Sequence, residues 1–147
     1  MNQDFESCAH LRRPRALLVD DQRESLELYE EHLRLAGWDV RVAVTGDEAL
    51  LVAPVLSPDV IVLDLAMPVL DGFQTMQRLK LDPRTTRIPI IVLTGLVMRS
   101  DRSRALRTGA ELVLSKPCPA RELQGALETI VTSRTDTRRT ERVTRTS

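Results

Sequence analysis

"VIVLDLAMP", residues 60–68, runs four apolar residues straight into Asp64. A continuous Val/Ile/Leu run of this length fits a strand buried on both faces, as in a parallel sheet. An unpaired carboxylate at the end of such a strand is costly. Asp64 is therefore either neutralised or held at an edge where it is used.

Similar runs recur on either side: "ALLV" at 16–19, "IPIIVL" at 88–93 and "ELVL" at 111–114. A weaker run, "DVRVAV" at 39–44, alternates and suits a less buried strand. Helical patterns lie between them. Residues 23–36 place Leu26, Tyr29, Leu33 and Ala36 on one face, and Gly37 can end that helix. Asp21 with Glu24, and Thr45 with Glu48, have capping-box spacing before the first two helices. The second helix covers about 46–56, kinked or shortened at Pro54. A third covers 73–80 with Phe73, Met76 and Leu79 or Lys80 bordering its inner face, and a fourth covers 99–108. A fifth begins at Pro119 and carries Leu123, Ala126, Leu127 and Ile130 on its apolar face. Strand followed by helix, five times over, predicts an α/β domain with one parallel, doubly wound sheet.

The chain has 147 residues, which suits one domain. The expected division is a leader at 1–13, a domain at 14–132 and a disordered Thr/Arg-rich tail at 133–147. Formal net charge is zero, which argues against bulk binding to nucleic acid or membrane. There is no apolar run of transmembrane length and no hydrophobic signal core near the start, so a cytoplasmic protein is expected. Cys8 and Cys118 do not form a disulfide framework or zinc pattern, and His10 and His32 are isolated.

In a sheet of this kind ligands bind at the carboxyl ends of the strands. Those ends read Asp20-Asp21, Asp64, Thr94-Gly95 and Ser115-Lys116-Pro117. Three carboxylates brought to one edge repel one another, and a hard divalent cation such as Mg²⁺ relieves this. Lys116 and the Thr94 hydroxyl can then hold an anion beside the metal. The set reads as a site for a phosphoryl group, with an Asp able to serve as nucleophile. Each residue alone has a plainer reading as a helix cap, turn residue or loop; their succession at consecutive strand ends is what carries the inference.

The segments "LLVDDQ", "VIVLDLAMPVLDG", "PIIVLTG" and "GAELVLSKP" resemble the response-regulator receiver domains of bacterial two-component signalling over most of residues 14–132. The resemblance implies a flavodoxin-like (βα)5 fold with strand order 2-1-3-4-5. It implies that Asp64 is the phosphoacceptor and Lys116 the phosphate-binding lysine. Thr94 is implied as the switch hydroxyl. Asp20, Asp21, Asp64 and the backbone carbonyl of Ala66 are the implied Mg²⁺ ligands, with Asp20 acting mainly through water. Pro117 matches the Lys-Pro pair, often cis, and Met67-Pro68 and Asp71-Gly72 match the loop after the acceptor. The implied donor is a sensor histidine kinase or a histidine phosphotransfer protein. The readout is a downstream protein bound at the fourth helix and fifth strand, with no direct nucleic-acid or membrane binding and no separate substrate turnover. Complete-chain and excised-receiver readings both stay open, with the initial Met and ragged tail favouring the former.

Two departures stand out. Val113 occupies the switch position where the family usually has an aromatic residue, which puts its coupling to Thr94 in question. Ala66 and Leu96, two residues after Asp64 and Thr94, are apolar where the family borders the path of attacking water, which predicts slow loss of the phosphoryl group. Two other readings compete: a degenerate receiver that binds partners without phosphorylation, and a metal-dependent phosphohydrolase. The second wants an acid two residues after the nucleophile, where this chain has Ala66.

Overall fold

A computed structural model of the chain describes residues 12–67, 71–95 and 99–146, with side chains as far as Arg134. Five strands, β1 (Arg15–Val19), β2 (Asp39–Ala43), β3 (Val60–Leu63), β4 (Ile90–Thr94) and β5 (Leu112–Ser115), alternate with five helices. The helices are α1 (Arg23–Leu35), α2 (Gly46–Leu56), α3 (Gly72–Leu81), α4 (Arg99–Thr108) and α5 (Ala120–Thr146). The strands form one parallel sheet in the order β2-β1-β3-β4-β5, as the resemblance implied.

Strand alternation sorts the side chains into two cores. Leu17, Val19, Ile61, Leu63 and Val92 face one way and pack against Ala49 and Ala53 of α2, Met76 and Leu79 of α3 and Ala105 of α4. Ala16, Leu18, Val60, Val62 and Leu93 face the other way, against Leu26, Tyr29 and Leu33 of α1 and Leu123 and Leu127 of α5. Helices on both faces explain why β3 and β4 read as unbroken apolar runs, since every residue in them is buried. The edge strand β2 exposes Arg41, which accounts for its alternation.

Thr45 caps α2 as its spacing predicted, accepting from the Glu48 amide at 3.1 Å, while the Glu48 carboxylate reaches back to the Val44 amide at 3.1 Å. Pro54 lies inside α2, which runs only two residues further, to Leu56, and ends on left-handed Ser57. Three expectations are corrected. Gln22, not Asp21, is the N-cap of α1, because the Asp20 carboxylate takes the Gln22 amide at 3.0 Å and sets the chain's entry into the helix. Ala36 is the exposed C-cap of α1 rather than part of its inner face. The tail expected to be disordered from residue 133 continues α5 to Thr146. Residues 126–146 contain no Gly or Pro, and Asp136/Arg139 and Glu141/Arg145 stand at spacings that support a helix. Of the expected leader, residues 1–11 lie outside the described residues, as do Pro68 and Leu96.

The buried Tyr29 hydroxyl donates to the Cys118 carbonyl at 2.8 Å, tying α1 to the loop between β5 and α5. Burial pushes the Tyr29 phenol above its ordinary pKa, so it stays a donor. Tyr29→Phe leaves that carbonyl without its partner and is expected to cost about 1 kcal/mol, read as a lower urea midpoint with an unchanged m-value.

Candidate functional site

Parallel register brings the ends of the strands level. Val19 pairs with both Ala43 and Leu63, and Leu63 pairs with Val92. Asp20 and Asp64 each follow the last residue of their strand, and the Asp64 amide donates to the Val19 carbonyl at 3.0 Å. On the other side of β3, Thr94 pairs with Ser115, and the Lys116 amide donates to the Thr94 carbonyl at 2.9 Å. Asp20, Asp21, Asp64, Thr94 and Lys116 thus share the carboxyl edge of the sheet.

Asp20, Asp64 and Thr94 are buried, whereas Asp21 is exposed. One carboxylate oxygen from each of the three acids lies within 4.8 Å of the others. The Lys116 ammonium donates to Asp20 at 2.6 Å and reaches Asp64 at 3.4 Å. The second Asp64 oxygen takes the Ala66 amide at 3.0 Å, which fixes the carboxylate plane. Burial pushes the Asp20 carboxyl above its ordinary pKa, outweighing the Lys116 and Gln22 hydrogen bonds that favour its anion. Burial also works against the Lys116 charge, but the hydrogen bond to Asp20 and the charges of Asp64 and Asp20 outweigh it and raise its pKa. Lys116 is therefore held protonated beside Asp20 and Asp64.

The donor set fits a hard divalent cation. Carboxylate oxygens are the ligands Mg²⁺ takes, and three acids against one ammonium leave the edge net negative. Oxygens no more than 4.8 Å apart need only small side-chain adjustments to reach the separations of about 3–4 Å that Mg²⁺–oxygen bonds impose. Added Mg²⁺ is accordingly expected to stabilise the fold by about 1.4 kcal/mol at ten times its Kd, seen as a higher thermal midpoint. Asp21→Asn should erase most of that shift; an equal shift in the variant would place the ion elsewhere.

Gly72 holds the loop after Asp64 against the strand. Its amide donates to the Leu65 carbonyl at 3.1 Å, and a Cβ there would stand 2.3 Å from the Asp64 carbonyl oxygen and 2.4 Å from the Leu65 Cα. Asp71 caps α3 by accepting the Gln74 amide at 2.8 Å. The Lys116-Pro117 bond is cis. Val113 is buried in the core that also holds Phe73 and Ala105. Sequence reading missed two contacts of α4: the Arg104 guanidinium lies 3.9 Å over the Phe73 ring, and Arg102 donates to Ser115 beside Lys116 at 3.3 Å.

Comparison with known proteins agrees with this geometry. Residues 16–128 match the family model described as the response regulator receiver domain. The DNA-binding dual master transcriptional regulator RpaA of Synechocystis sp. is 37% identical over 130 residues, covering 88% of this chain and 52% of that protein. Response regulator PleD of Caulobacter vibrioides is 41% identical over 103 residues, covering 70% of this chain and 23% of that protein. The chain thus spans about half the length, or less, of these relatives. Among solved structures, Vibrio cholerae chemotaxis protein CheY4 superposes with a TM-score of 0.77 at 28% identity, covering 81% of this chain and 99% of that one. The receiver domain of sensor histidine kinase PA1611 from Pseudomonas aeruginosa, solved with a magnesium ion coordinated in its active-site cleft, gives 0.76 at 30% identity over 82% and 99%. Among the described residues no helix is long and apolar enough to cross a membrane. By its sequence match, its strand order and its cluster of acids with a lysine, the chain belongs to the response regulator receiver domain family.

Proposed function

We propose that Asp64 accepts a phosphoryl group from the phosphohistidine of a sensor kinase or histidine phosphotransfer protein. The observation that carries this reading is the convergence of Asp20, Asp21 and Asp64 with the Lys116 ammonium at one sheet edge. An Asp64 oxygen attacks phosphorus in line. The new O–P bond forms as the P–N bond breaks, and the bonding electrons return to the imidazole. Asp20, Asp21, Asp64 and the Ala66 carbonyl would hold Mg²⁺, which when bound neutralises charge on the phosphoryl oxygens. Lys116 leaves Asp64 for a phosphoryl oxygen, and the Thr94 hydroxyl donates to another. The Ala66 amide, already on Asp64, keeps the attacking carboxylate oriented.

The resulting anion at the edge shifts an existing equilibrium of α4 and β5, which a downstream protein reads. Val113 cannot sweep the volume of an aromatic ring, so the signal is expected to pass through packing of α4 rather than a ring rotation. The protein acts as a phosphoacceptor and turns over no separate substrate. The Ala66 side chain offers no polar group to an attacking water, so the acyl phosphate of the isolated, Mg²⁺-loaded protein is expected to decay slowly; rapid loss in a time course would contradict this.

The test is incubation with acetyl phosphate and Mg²⁺, followed by intact mass. One phosphoryl group should add to the wild type and none to Asp64→Ala. No gain in the wild type would favour a partner-binding module that works without phosphorylation.

A further inference from the structure

The zero net charge conceals a spatial separation. Asp20, Asp21 and Asp64 gather at the carboxyl edge of the sheet, and seven arginines line the opposite edge, where the strands begin. Two open clefts lie there. One, of about 500 Å³, is lined by Arg12, Arg13, Arg15 and Arg34 with Trp38, Asp39 and Val40. The other, of about 290 Å³, shares Arg12 and adds Arg84, Arg87 and Arg134 around Asp59, Ile88 and Pro89. Among the described residues, Asp39 and Asp59 are the only carboxylates lining either cleft, and both are engaged. Asp39 lies 3.0 Å from Arg15, and Asp59 accepts the Arg15 amide at 2.8 Å. Arg34, Arg84 and Arg134 have their own partners in Glu30, Asp82 and Glu111. Arg12, Arg13 and Arg87 are exposed and have no carboxylate in ion-pair range among the described residues. Helix α5 leaves the second cleft at Arg134 and continues to Thr146 through Arg138, Arg139, Arg142 and Arg145 in its sequence.

We propose that this arginine floor, with the C-terminal arm of α5, binds the phosphate backbone of duplex nucleic acid without reading its sequence. A single small anion would occupy one cleft and leave the rest of the surface unmatched. A duplex presents a phosphate charge about every 1.7 Å and can follow both clefts and the arm. A single strand would need aromatic platforms, and among the described residues the exposed large apolar side chains are Leu28, Leu35, Leu51, Val55, Leu81 and Leu106, none of them aromatic. An anionic membrane would need an apolar helix face to embed, and residues 135–146 contain one apolar residue, Val143. The expectation against nucleic acid rested on net charge; a local excess of arginine at one edge removes its premise.

The test uses the 147-residue chain and a labelled duplex of arbitrary sequence, read by fluorescence anisotropy between about 50 and 200 mM salt. Wild type should bind at the low end, with affinity falling steeply with salt. Arg12→Gln/Arg13→Gln/Arg87→Gln should flatten the log–log salt slope by about 3 and leave the thermal midpoint nearly unchanged. Replacing Arg138, Arg139, Arg142 and Arg145 by Gln, away from the folded core, should independently weaken binding. Absence of duplex binding at low salt, or binding by both variants equal to that of the wild type, overturns the proposal. So does equal or tighter binding to phosphatidylserine vesicles, or saturation of the site by inorganic phosphate alone.

Discussion

Gly72→Ala destabilises the protein by about 3 kcal/mol or more and removes phosphoryl uptake with it. The added methyl would lie 2.3 Å from one backbone atom and 2.4 Å from another, so no flexible side chain can yield. Relief requires the loop after Asp64 to part from β3, breaking the Gly72–Leu65 hydrogen bond and shifting the start of α3. Overpacking of this kind typically costs about 1–3 kcal/mol, and a backbone-to-backbone clash belongs at the upper end. Chemical denaturation gives the stability, and Gly95→Ala is the control, since a Cβ at Gly95 meets nothing within 4 Å among the described residues. Equal midpoints for the two variants would show that the loop is not held as described.

Lys116→Met slows phosphoryl uptake from acetyl phosphate by about 100-fold or more, at saturating Mg²⁺. The ammonium is the one side-chain cation within reach of Asp64 among the described residues, and removing one preorganised donor from developing charge typically costs that much. Stability also falls, by about 2 kcal/mol, because buried Asp20 loses its partner at 2.6 Å and keeps its like-charged neighbours. Added Mg²⁺ should recover part of the stability but little of the rate. A rate within a few-fold of wild type would remove Lys116 from the phosphoryl site.

Much of this was legible in the sequence, for physical reasons. Strands buried on both faces must be apolar throughout, so "VIVL" marks β3 residue for residue. Polar residues that end such runs have nowhere to go but the carboxyl edge, so Asp20, Asp64, Thr94 and Lys116 could be assembled from order alone. Other features depend on distant partners. Tyr29 and Cys118 are 89 positions apart. The need for glycine at position 72 arises from contact with residues 64 and 65, which only the folded loop creates. Asp21 looked like a helix cap because spacing cannot show that Asp20 already holds the Gln22 amide. The length of α5 was missed because polar composition predicts the absence of a core, which is not the same as the absence of a helix. The arginine floor was invisible for a related reason: Arg12, Arg87 and Arg134 meet only because the starts of β1 and β4 and the middle of α5 reach the same edge.

The most direct test of the account is to locate the phosphoryl group. After reaction with acetyl phosphate and Mg²⁺, borohydride reduction converts an aspartyl phosphate to homoserine, which peptide mapping can place. The account predicts homoserine at position 64, and at neither Asp20 nor Asp21. Homoserine at another aspartate, or none in protein that has gained a phosphoryl group, would contradict it.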